Sequence, residues 1–234
     1  MQLFYAPDLE GDHYTLEEKE SKHIVKVLRM KAGDTIMLTD GAGKLITTEL
    51  VNEDPRRCEV RVVDVVEDYG KRGFLLHIAI APTKNINRFE WFIEKATEIG
   101  VDEITPLICQ RSERKVVKTD RLKKVITSAM KQSVKAYHPV LNEASSFKDL
   151  VCRDHSMQKY IAYVEQGEHP ALQTLYKNGE DAIVLIGPEG DFSPEEVIMA
   201  NENGFKVISL GNSRLRTETA GVVAVHSIVM MNNE

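Results

Sequence analysis

Apolar runs of strand length alternate with stretches of helical spacing from residue 74 onward. Residues 74–81 form a nearly continuous apolar run, typical of a buried strand. The next segment, residues 88–99, has a helical spacing that Gly100 ends, with apolar side chains at Phe89, Phe92, Ile93, Ala96 and Ile99. Further strands are predicted at 103–109, 160–164, 182–187 and 205–211, and further helices at 119–136, 145–151, 169–179, 193–204 and 218–231. Strand and helix alternate about six times, which predicts an α/β fold with a parallel sheet covered on both faces.

The first third of the chain has a different pattern. Two β-rich runs flank Asp40-Gly41-Ala42-Gly43, a sequence typical of a hairpin turn, and residues 56–68 continue with partial alternation. One helix is predicted here, over residues 15–30. This segment therefore predicts a small β-barrel or compact sheet with a single helix.

Charge and glycine content divide the chain further. The glycines and mixed charges of residues 67–73 mark the best boundary, so we predict one domain at 1–70 and a second at 73–234. The net charge is −6, but residues 71–138 carry 14 basic and 7 acidic side chains, a net charge of +7. This basic island matters because the local field, not the total charge, decides where a polyanion docks.

Composition narrows the class of protein. Hydrophobic residues make up 42% of the chain and charged residues 28%, which are ordinary globular values. No apolar run approaches the roughly 20 residues that span a bilayer, and the first residues lack the pattern of a signal peptide. Cys58, Cys109 and Cys152 are scattered, and no histidine has a metal-ligand spacing. We therefore expect a cytoplasmic protein without a membrane anchor, a disulfide framework or a metal.

Two polar, glycine-containing loops follow successive predicted strands. In the first, a strand runs into Gly187-Pro188-Glu189-Gly190, and Ser193, Pro194 and Glu196 then fit the N-cap, N1 and N3 positions of a helix with a capping box. Capping explains Ser193 to Glu196 without any function. The two glycines around a proline allow a close backbone approach to a ligand, and a tight turn is the alternative explanation.

The second loop, residues 210–220 (LGNSRLRTETA), carries more polar groups than a helix start needs. Thr217 or Thr219 alone would cap the last helix, which leaves both arginines unexplained. Ligands of open α/β sheets bind outside the carboxyl ends of the strands, so two such loops on one rim indicate a shared small-molecule site. Neither G-x-x-x-x-G-K-[ST] nor G-x-G-x-x-G is present, so nucleotide phosphates are poorly supported.

A basic stripe is predicted on the helix at 119–136. Arg121, Lys124, Lys131 and Lys135 share one face, opposite the apolar positions Leu122, Val125, Ile126, Ala129 and Ser133. The preceding residues add four more cations: Arg111, Arg114, Lys115 and Lys118. A charged stripe is usually a solvated face, but this one has a single sign. It therefore predicts a phosphate-contacting surface whose affinity falls steeply with salt.

Two segments carry a specific family resemblance. IGPEGDFSPEE (186–196), followed about twenty residues later by SLGNSRLRTETA (209–220), resembles the C-terminal signature of the RsmE family. Further matches are HIVKVLRMKAGD, APTKNINRFEWFIEKATEIGV and ITPLICQRSER, so the similarity covers nearly the whole chain. Members are SPOUT-class methyltransferases that modify N3 of uridine 1498 of 16S rRNA. Asp191 departs from the pattern, because many members have another glycine there.

The resemblance implies a SPOUT-type parallel sheet with a C-terminal trefoil knot, preceded by a small PUA-like β-barrel that binds RNA. It also implies S-adenosylmethionine as cofactor, a homodimer, and 16S rRNA of the small ribosomal subunit as substrate. The cofactor-binding residues implied are Ile186, Gly187, Pro188, Glu189, Gly190, Leu210, Gly211, Leu215, Arg216, Thr217, Thr219 and Ala220. Together with the basic stripe, the predicted RNA-binding residues are His23, Arg29, Lys84, Arg88, Arg111, Arg114, Arg121, Lys124, Lys131 and Lys135.

Arg216 and Glu218 are the predicted catalytic residues. Uridine N3 carries a proton at neutral pH, so its methylation requires loss of that proton or stabilisation of the developing anion. Arg216 is suited to stabilise negative charge, and Glu218 either to accept the proton or to orient Arg216. The alternative for the two is a surface ion pair worth little. Two other function classes stay open: a non-catalytic RNA-binding protein that uses the 111–135 surface, and an enzyme that binds nucleotide phosphates at the rim.

Overall fold

The computed structural model describes residues 2–164 and 169–233. The chain divides into two units by its internal contacts. The first unit comprises Met1–Lys71 and Met130–His138, and the second comprises Arg72–Ala129 and Pro139–Glu234.

The first unit is built on a five-stranded sheet with the strand order β1-β3-β4-β5-β2. Its strands are β1 (Leu3–Tyr5), β2 (His13–Thr15), β3 (Thr35–Thr39), β4 (Leu45–Asn52) and β5 (Glu59–Val66). The predicted hairpin is confirmed, because β3 and β4 pair antiparallel with Thr39 opposite Leu45. The predicted helix is shorter than 15–30: α1 (Glu18–Lys22) continues only as a π-helical turn at His23–Val27. Alternate strand residues fill the core, among them Ile36, Leu38, Ile46, Leu50 and Val60.

A segment distant in sequence completes this unit. Tyr137 forms an antiparallel bridge with Ala42 in the hairpin turn, and its hydroxyl donates to Asp68 at 3.0 Å. Gly43 has a φ of 116°, and a Cβ there would lie 2.5 Å from the Tyr137 hydroxyl oxygen. The hairpin glycine is therefore required both by its backbone conformation and by the tyrosine that packs on it.

The second unit is an α/β layer structure around a parallel sheet, ordered β12-β10-β11-β6-β7-β8, with β9 also paired to β7. Its strands are β6 (Leu76–Ile80), β7 (Glu103–Ile108), β8 (Val140–Leu141), β9 (Ser145–Ser146), β10 (Gln158–Ala162), β11 (Ala182–Ile186) and β12 (Lys206–Ile208). Its helices are α2 (Ile86–Ile99), α3 (Thr119–Gln132), α4 (Phe147–Val151), α5 (Leu172–Leu175), α6 (Pro194–Glu202) and α7 (Thr217–Asn232). The last residues of α3 belong to the first unit. The predicted α/β fold with a parallel sheet is confirmed.

Both faces of the parallel sheet are covered, as predicted. On one face, Ile78 and Val184 lie in a core with residues of α2 and α7. On the other face, Ala79 and Leu185 pack with residues of α4 and α6. Successive strand residues point to opposite faces, which explains why these strands are apolar throughout.

Two predicted helices end earlier than the sequence pattern suggested. The helix predicted at 119–136 ends at Gln132, because Val134 takes a left-handed φ of 55° that breaks helical geometry. The helix predicted at 169–179 is a single turn, since Tyr176 is already extended with a ψ of 135°. In the described part of the chain, no helix is long and apolar enough to cross a bilayer.

Candidate functional site

A cavity of about 780 Å³ lies at the carboxyl ends of three adjacent strands, β10, β11 and β12. Its walls come from the loop after β11, from the loop between β12 and α7, and from the residues that follow β10. The volume is within the usual range for small-molecule sites. The position, beyond the carboxyl ends of parallel strands, is also where α/β sheets bind ligands.

The loop after β11 is packed closely against the residues that follow it. A Cβ on Gly187 would lie 3.1 Å from the Phe192 ring, so a glycine allows the main chain to line the cavity at this point. The loop then enters α6 through Ser193, whose side chain accepts from the Glu196 N–H while Glu196 accepts from the Ser193 N–H. The predicted capping box is therefore confirmed.

Asp191 closes this loop in a left-handed conformation, with a φ of 59°. Its carboxylate accepts a hydrogen bond from the N–H of Phe192 at 2.8 Å and another from the N–H of Val164 at 3.1 Å. Aspartate tolerates the left-handed region better than most residues because its short side chain can bond locally. The Asp191 carboxylate thereby ties the loop to the segment that follows β10.

The loop between β12 and α7 turns at Gly211, which has a φ of 125°. Arg216, not a threonine, is the N-cap residue of α7, and no side chain caps this helix. The expectation that Thr217 or Thr219 caps it is therefore wrong. Arg216 keeps the extended backbone of the cap position, so Thr217 is already the first helical residue. The Thr217 side chain is buried.

Glu218 lies in the first turn of α7 and faces Arg88 from the start of α2. The Arg88 Nε is 3.7 Å from a Glu218 carboxylate oxygen, and the Glu218 side chain is only 9% exposed. Arg216 is exposed, and among the described residues it has no ion-pair partner. The Arg216–Glu218 surface pair considered as an alternative is therefore not formed, and Arg216 is available to a ligand.

The cavity brings together most of the residues predicted for the cofactor. Its lining includes Ile186, Gly187, Pro188, Glu189, Leu210, Gly211, Leu215, Arg216, Thr217 and Ala220, as well as Arg88 and Glu218. Gly190 and Thr219 are not part of the lining. Residues not predicted from the sequence also line it, including Ala162, Tyr163, Val164, His169, Asp191 and Arg214. Four of them, Ala162, Tyr163, Val164 and His169, end or follow β10, and they lie here because the strand order places β10 beside β11.

Several residues predicted to bind RNA have protein partners. In the second unit, Arg121 donates to Glu90 at 2.8 Å, whereas Lys124 on the same helix is exposed. In the first unit, Lys131 pairs with Glu20 at 2.7 Å. Lys135 lies beyond the end of α3, so the expectation that it belongs to the same helical face is wrong.

The remaining predicted RNA contacts lie in loops and turns. His23 begins the π-helical turn of the first unit, with its Nε2 2.6 Å from the Gln2 side-chain nitrogen. Arg29 is exposed, with a left-handed φ of 57°. In the second unit, Lys84 pairs with Glu113 at 2.8 Å through two exposed side chains. Arg111 and Arg114 donate to backbone carbonyls of neighbouring loops.

The fold and the cavity define a parallel-sheet α/β protein with a ligand site at the carboxyl rim, joined to a small β-sheet unit. The chain belongs to the RNA methyltransferase family: residues 71–229 match its RNA methyltransferase domain, and residues 16–63 match the RNA methyltransferase PUA domain. The resemblance described from the sequence motifs is thereby confirmed.

The known proteins that are similar to this chain include proteins named as ribosomal RNA methyltransferases. A crystal structure of a probable rRNA-methyltransferase from Porphyromonas gingivalis is 42% identical, with a TM-score of 0.94 over 100% of this chain and 99% of that one. The ribosomal RNA small subunit methyltransferase E of Neisseria gonorrhoeae, solved bound to S-adenosyl methionine, is 25% identical with a TM-score of 0.89 over 99% and 98% of the two chains. The Aquifex aeolicus protein of the same name is 29% identical over 98% of this chain and 99% of its own.

Proposed function

We propose that this protein is an S-adenosylmethionine-dependent methyltransferase that methylates N3 of one uridine, position 1498, in 16S rRNA of the small ribosomal subunit. One observation carries the proposal: the two loops that hold the family signature line a single cavity at the rim of the parallel sheet. The relatives named ribosomal RNA small subunit methyltransferase E, and the one solved with S-adenosyl methionine, support the reaction and the cofactor.

The cavity lining fits the chemistry of S-adenosylmethionine. Ile186, Leu210 and Leu215 offer apolar cover for an adenine ring. Gly187 and Gly211 leave backbone groups accessible to polar ligand atoms. When bound, S-adenosylmethionine supplies an electrophilic methyl group.

Arg216 and Glu218 act on the uridine in this proposal. Arg216, exposed at the N-cap of α7, stabilises negative charge that develops on the base as N3 loses its proton. Glu218 is the carboxylate that accepts this proton, because its ion-pair partner is Arg88 and not Arg216. The Arg88 guanidinium, 3.7 Å away, holds the Glu218 carboxylate in the wall of the cavity.

The RNA interface is proposed in each unit separately, with domain limits at 1–70 and 73–234. The first unit grips RNA through His23 and Arg29, which is consistent with its match to the RNA methyltransferase PUA domain. In the second unit, the exposed Lys124 contacts phosphates, and Arg121 does so after exchanging its partner Glu90. The trefoil knot remains a prediction from the resemblance.

We also propose a homodimer located in the cytoplasm. Helix α7 has apolar residues around most of its circumference, and Met230 remains 47% exposed. Trp91 is 43% exposed on α2, which packs against α7. A helix that is apolar all round is normally buried, so a second copy that covers this face is a consistent explanation.

Calorimetry combined with RNA analysis tests the function. We expect S-adenosylmethionine and its demethylated product to bind the purified protein, and ATP not to bind. Ribosomal RNA from a strain without the gene should lack one N3-methyluridine, and the purified protein should restore it on small subunits. Failure of both methionine-derived ligands to bind would overturn the proposal, and binding of RNA alone would favour a non-catalytic RNA-binding protein.

A further inference from the structure

Arg114 joins two loops of the second unit. Its Nε donates to the Thr83 carbonyl at 3.0 Å, and its Nη2 donates to the Lys84 carbonyl at 2.7 Å. Arg114 lies in the loop after β7, whereas Thr83 and Lys84 lie in the loop after β6. A forked guanidinium is suited to hold two consecutive carbonyls, because its donors are fixed in one plane, whereas the lysine ammonium is a compact charge on a flexible stem.

The backbone held by Arg114 is bonded in turn to the cavity wall. The N–H of Lys84 donates to Glu189 at 2.9 Å, and Glu189 lines the cavity. Two hydrogen bonds thus connect Arg114, through the Lys84 backbone, to the Glu189 carboxylate. Within the described residues, the Lys84 N–H engages one carboxylate oxygen of Glu189, which leaves the other for a ligand.

The same loop segment also sets the start of α2. Thr83 is fully buried, and its hydroxyl donates to the Asn85 carbonyl at 2.7 Å. Asn85 is the N-cap of α2, and its side chain accepts from the Asn87 N–H. Because Arg88 follows within the first turn of α2, the position of this cavity residue depends on the segment that Arg114 holds.

A parallel pair of contacts secures the loop after β11. Arg111 donates to the Gly190 carbonyl at 2.7 Å, and the Gln110 N–H donates to Glu196 at 2.8 Å. Among the described residues, the loop after β7 provides none of the cavity lining. It is bonded to the loop after β11, which lines the cavity, and to the loop after β6, which leads into α2 and its lining residue Arg88. The arginine side chains of the loop after β7, Arg111 and Arg114, therefore bind backbone carbonyls of the neighbouring loops.

We propose that Arg114 is a positioning residue for the cofactor cavity, which acts through the Lys84 backbone on Glu189. This assignment differs from the phosphate contact that the basic sequence predicts. This inference rests on the proposed function in one respect, which is that the cavity binds S-adenosylmethionine. The guanidinium acts through its hydrogen bonds, which hold Glu189 in the position that binds the cofactor, and not through its charge.

The affinity for S-adenosylmethionine, measured without RNA, distinguishes a positioning role of Arg114 from a phosphate contact. We expect Arg114→Ala and Arg114→Lys both to weaken S-adenosylmethionine binding by about ten-fold in calorimetry, since lysine keeps the charge but not the fork. The KM for the cofactor should rise with the KM for RNA unchanged. Arg61→Ala removes the same charge from an exposed ion pair with Glu49 in the first unit, and it should leave cofactor affinity unchanged.

Variants of Glu189 test the link itself. Glu189→Gln keeps an oxygen that accepts from the Lys84 N–H, so it should preserve the slow hydrogen exchange of that amide, whereas Glu189→Ala should accelerate it. Arg114→Ala should also accelerate this exchange, and the double variant Arg114→Ala/Glu189→Ala should lose cofactor affinity by less than the product of the single losses. These measurements remain informative if one Arg114 variant folds poorly.

Two results would overturn the inference, and they are distinct. Unchanged cofactor affinity in Arg114→Ala, with weaker RNA binding that Arg114→Lys restores, would identify a phosphate contact. A wild-type protein that binds no S-adenosylmethionine would instead overturn the proposed function, and the inference with it. The wild-type titration thus distinguishes the two failures before any variant is made.

Discussion

The Arg88 guanidinium lies 3.7 Å from the carboxylate of Glu218, in a wall of the cavity where Glu218 is almost fully buried. The two residues come from the first turns of different helices, α2 and α7. A buried carboxylate without its cation is costly, so the pair works as a unit. In this position Arg88 orients the Glu218 carboxylate that lines the cavity.

This pairing predicts coupled kinetic effects. Glu218→Gln should lower the rate of methyl transfer by roughly 10²–10⁴, the usual contribution of a general base. Arg88→Ala should lower it less, and the double variant should be no slower than Glu218→Gln alone, because Arg88 acts through Glu218. Single-turnover assays at saturating cofactor measure all three rates. Effects that multiply in the double variant would show that the residues act independently.

Arg216 is predicted to act mainly on the rate of methyl transfer, with a smaller effect on cofactor affinity. Arg216→Ala should reduce kcat by about 10²–10³, as expected for loss of one donor to a developing anion. Arg216→Lys should recover part of this loss because it keeps the charge. Steady-state kinetics combined with calorimetry separate the two quantities, with Arg61→Ala as the matched arginine control. Unchanged turnover in Arg216→Ala would remove Arg216 from the mechanism.

Lys124 is predicted to contact an RNA phosphate. Lys124→Ala should reduce the slope of log affinity against log salt by about one and weaken binding uniformly across RNA sequences. Lys148, exposed on α4, provides a matched lysine control in the same unit. Filter binding at several salt concentrations gives the slopes. Equal slopes for Lys124→Ala and the wild type would show that Lys124 belongs to an ordinary solvated face.

His77 predicts a loss of stability in weak acid. Burial lowers the pKa of His77 to about 4, although Glu103 nearby opposes this effect. Above the ordinary histidine pKa of about 6.5 the ring is neutral in both states, and below it the unfolded state binds the proton first. The free energy of unfolding should therefore fall as pH decreases from about 6.5 to about 4, by up to roughly 3 kcal/mol.

Urea unfolding of the wild type and of His77→Gln checks this expectation. Other titrating groups contribute equally to both proteins, so the difference between their pH profiles isolates His77. Glutamine retains a polar group near Thr105, whose hydroxyl oxygen lies 2.8 Å from the His77 ring nitrogen. Parallel pH profiles for the two proteins would contradict the prediction.

Gly221 is predicted to be essential for packing of α7. A Cβ at this position would lie 2.5 Å from the Phe92 ring and 2.8 Å from Ile80. Gly221→Ala should therefore destabilise the protein by about 1–3 kcal/mol through overpacking, despite the better helix propensity of alanine. Gly73→Ala, where no atom lies within 4 Å of the added Cβ, is the control and should be close to neutral. Thermal unfolding of both variants measures the difference.

Local sequence rules account for much of the fold. The alternation of apolar strands and amphipathic helices, the hairpin at Asp40–Gly43 and the capping box of Ser193 and Glu196 all depend on neighbours a few residues apart. The two signature loops were identified for the same reason, since glycine, proline and polar side chains determine local turns. Helix ends were less predictable, because the left-handed Val134 and the extended Tyr176 carry no comparable local signal.

The rest of the site depends on strand order. Tyr163 and His169 reach the cavity because β10 lies between β11 and β12, an arrangement fixed by pairing between distant segments. The ion pair of Glu218 with Arg88 was not anticipated for the same reason, since Arg88 is far away in sequence while Arg216 is close. Only the packing of α2 and α7 on one face brings Arg88 and Glu218 together.

Residues 130–138 impose an order on biosynthesis. The first unit includes this segment, and its hairpin residue Gly43 packs against Tyr137. During translation the first 71 residues leave the ribosome before Tyr137 exists, so the hairpin turn emerges without its packing partner. At about 5–20 residues per second, this interval lasts several seconds. The N-terminal unit therefore cannot mature as an independent first step, and its completion waits for the central part of the chain.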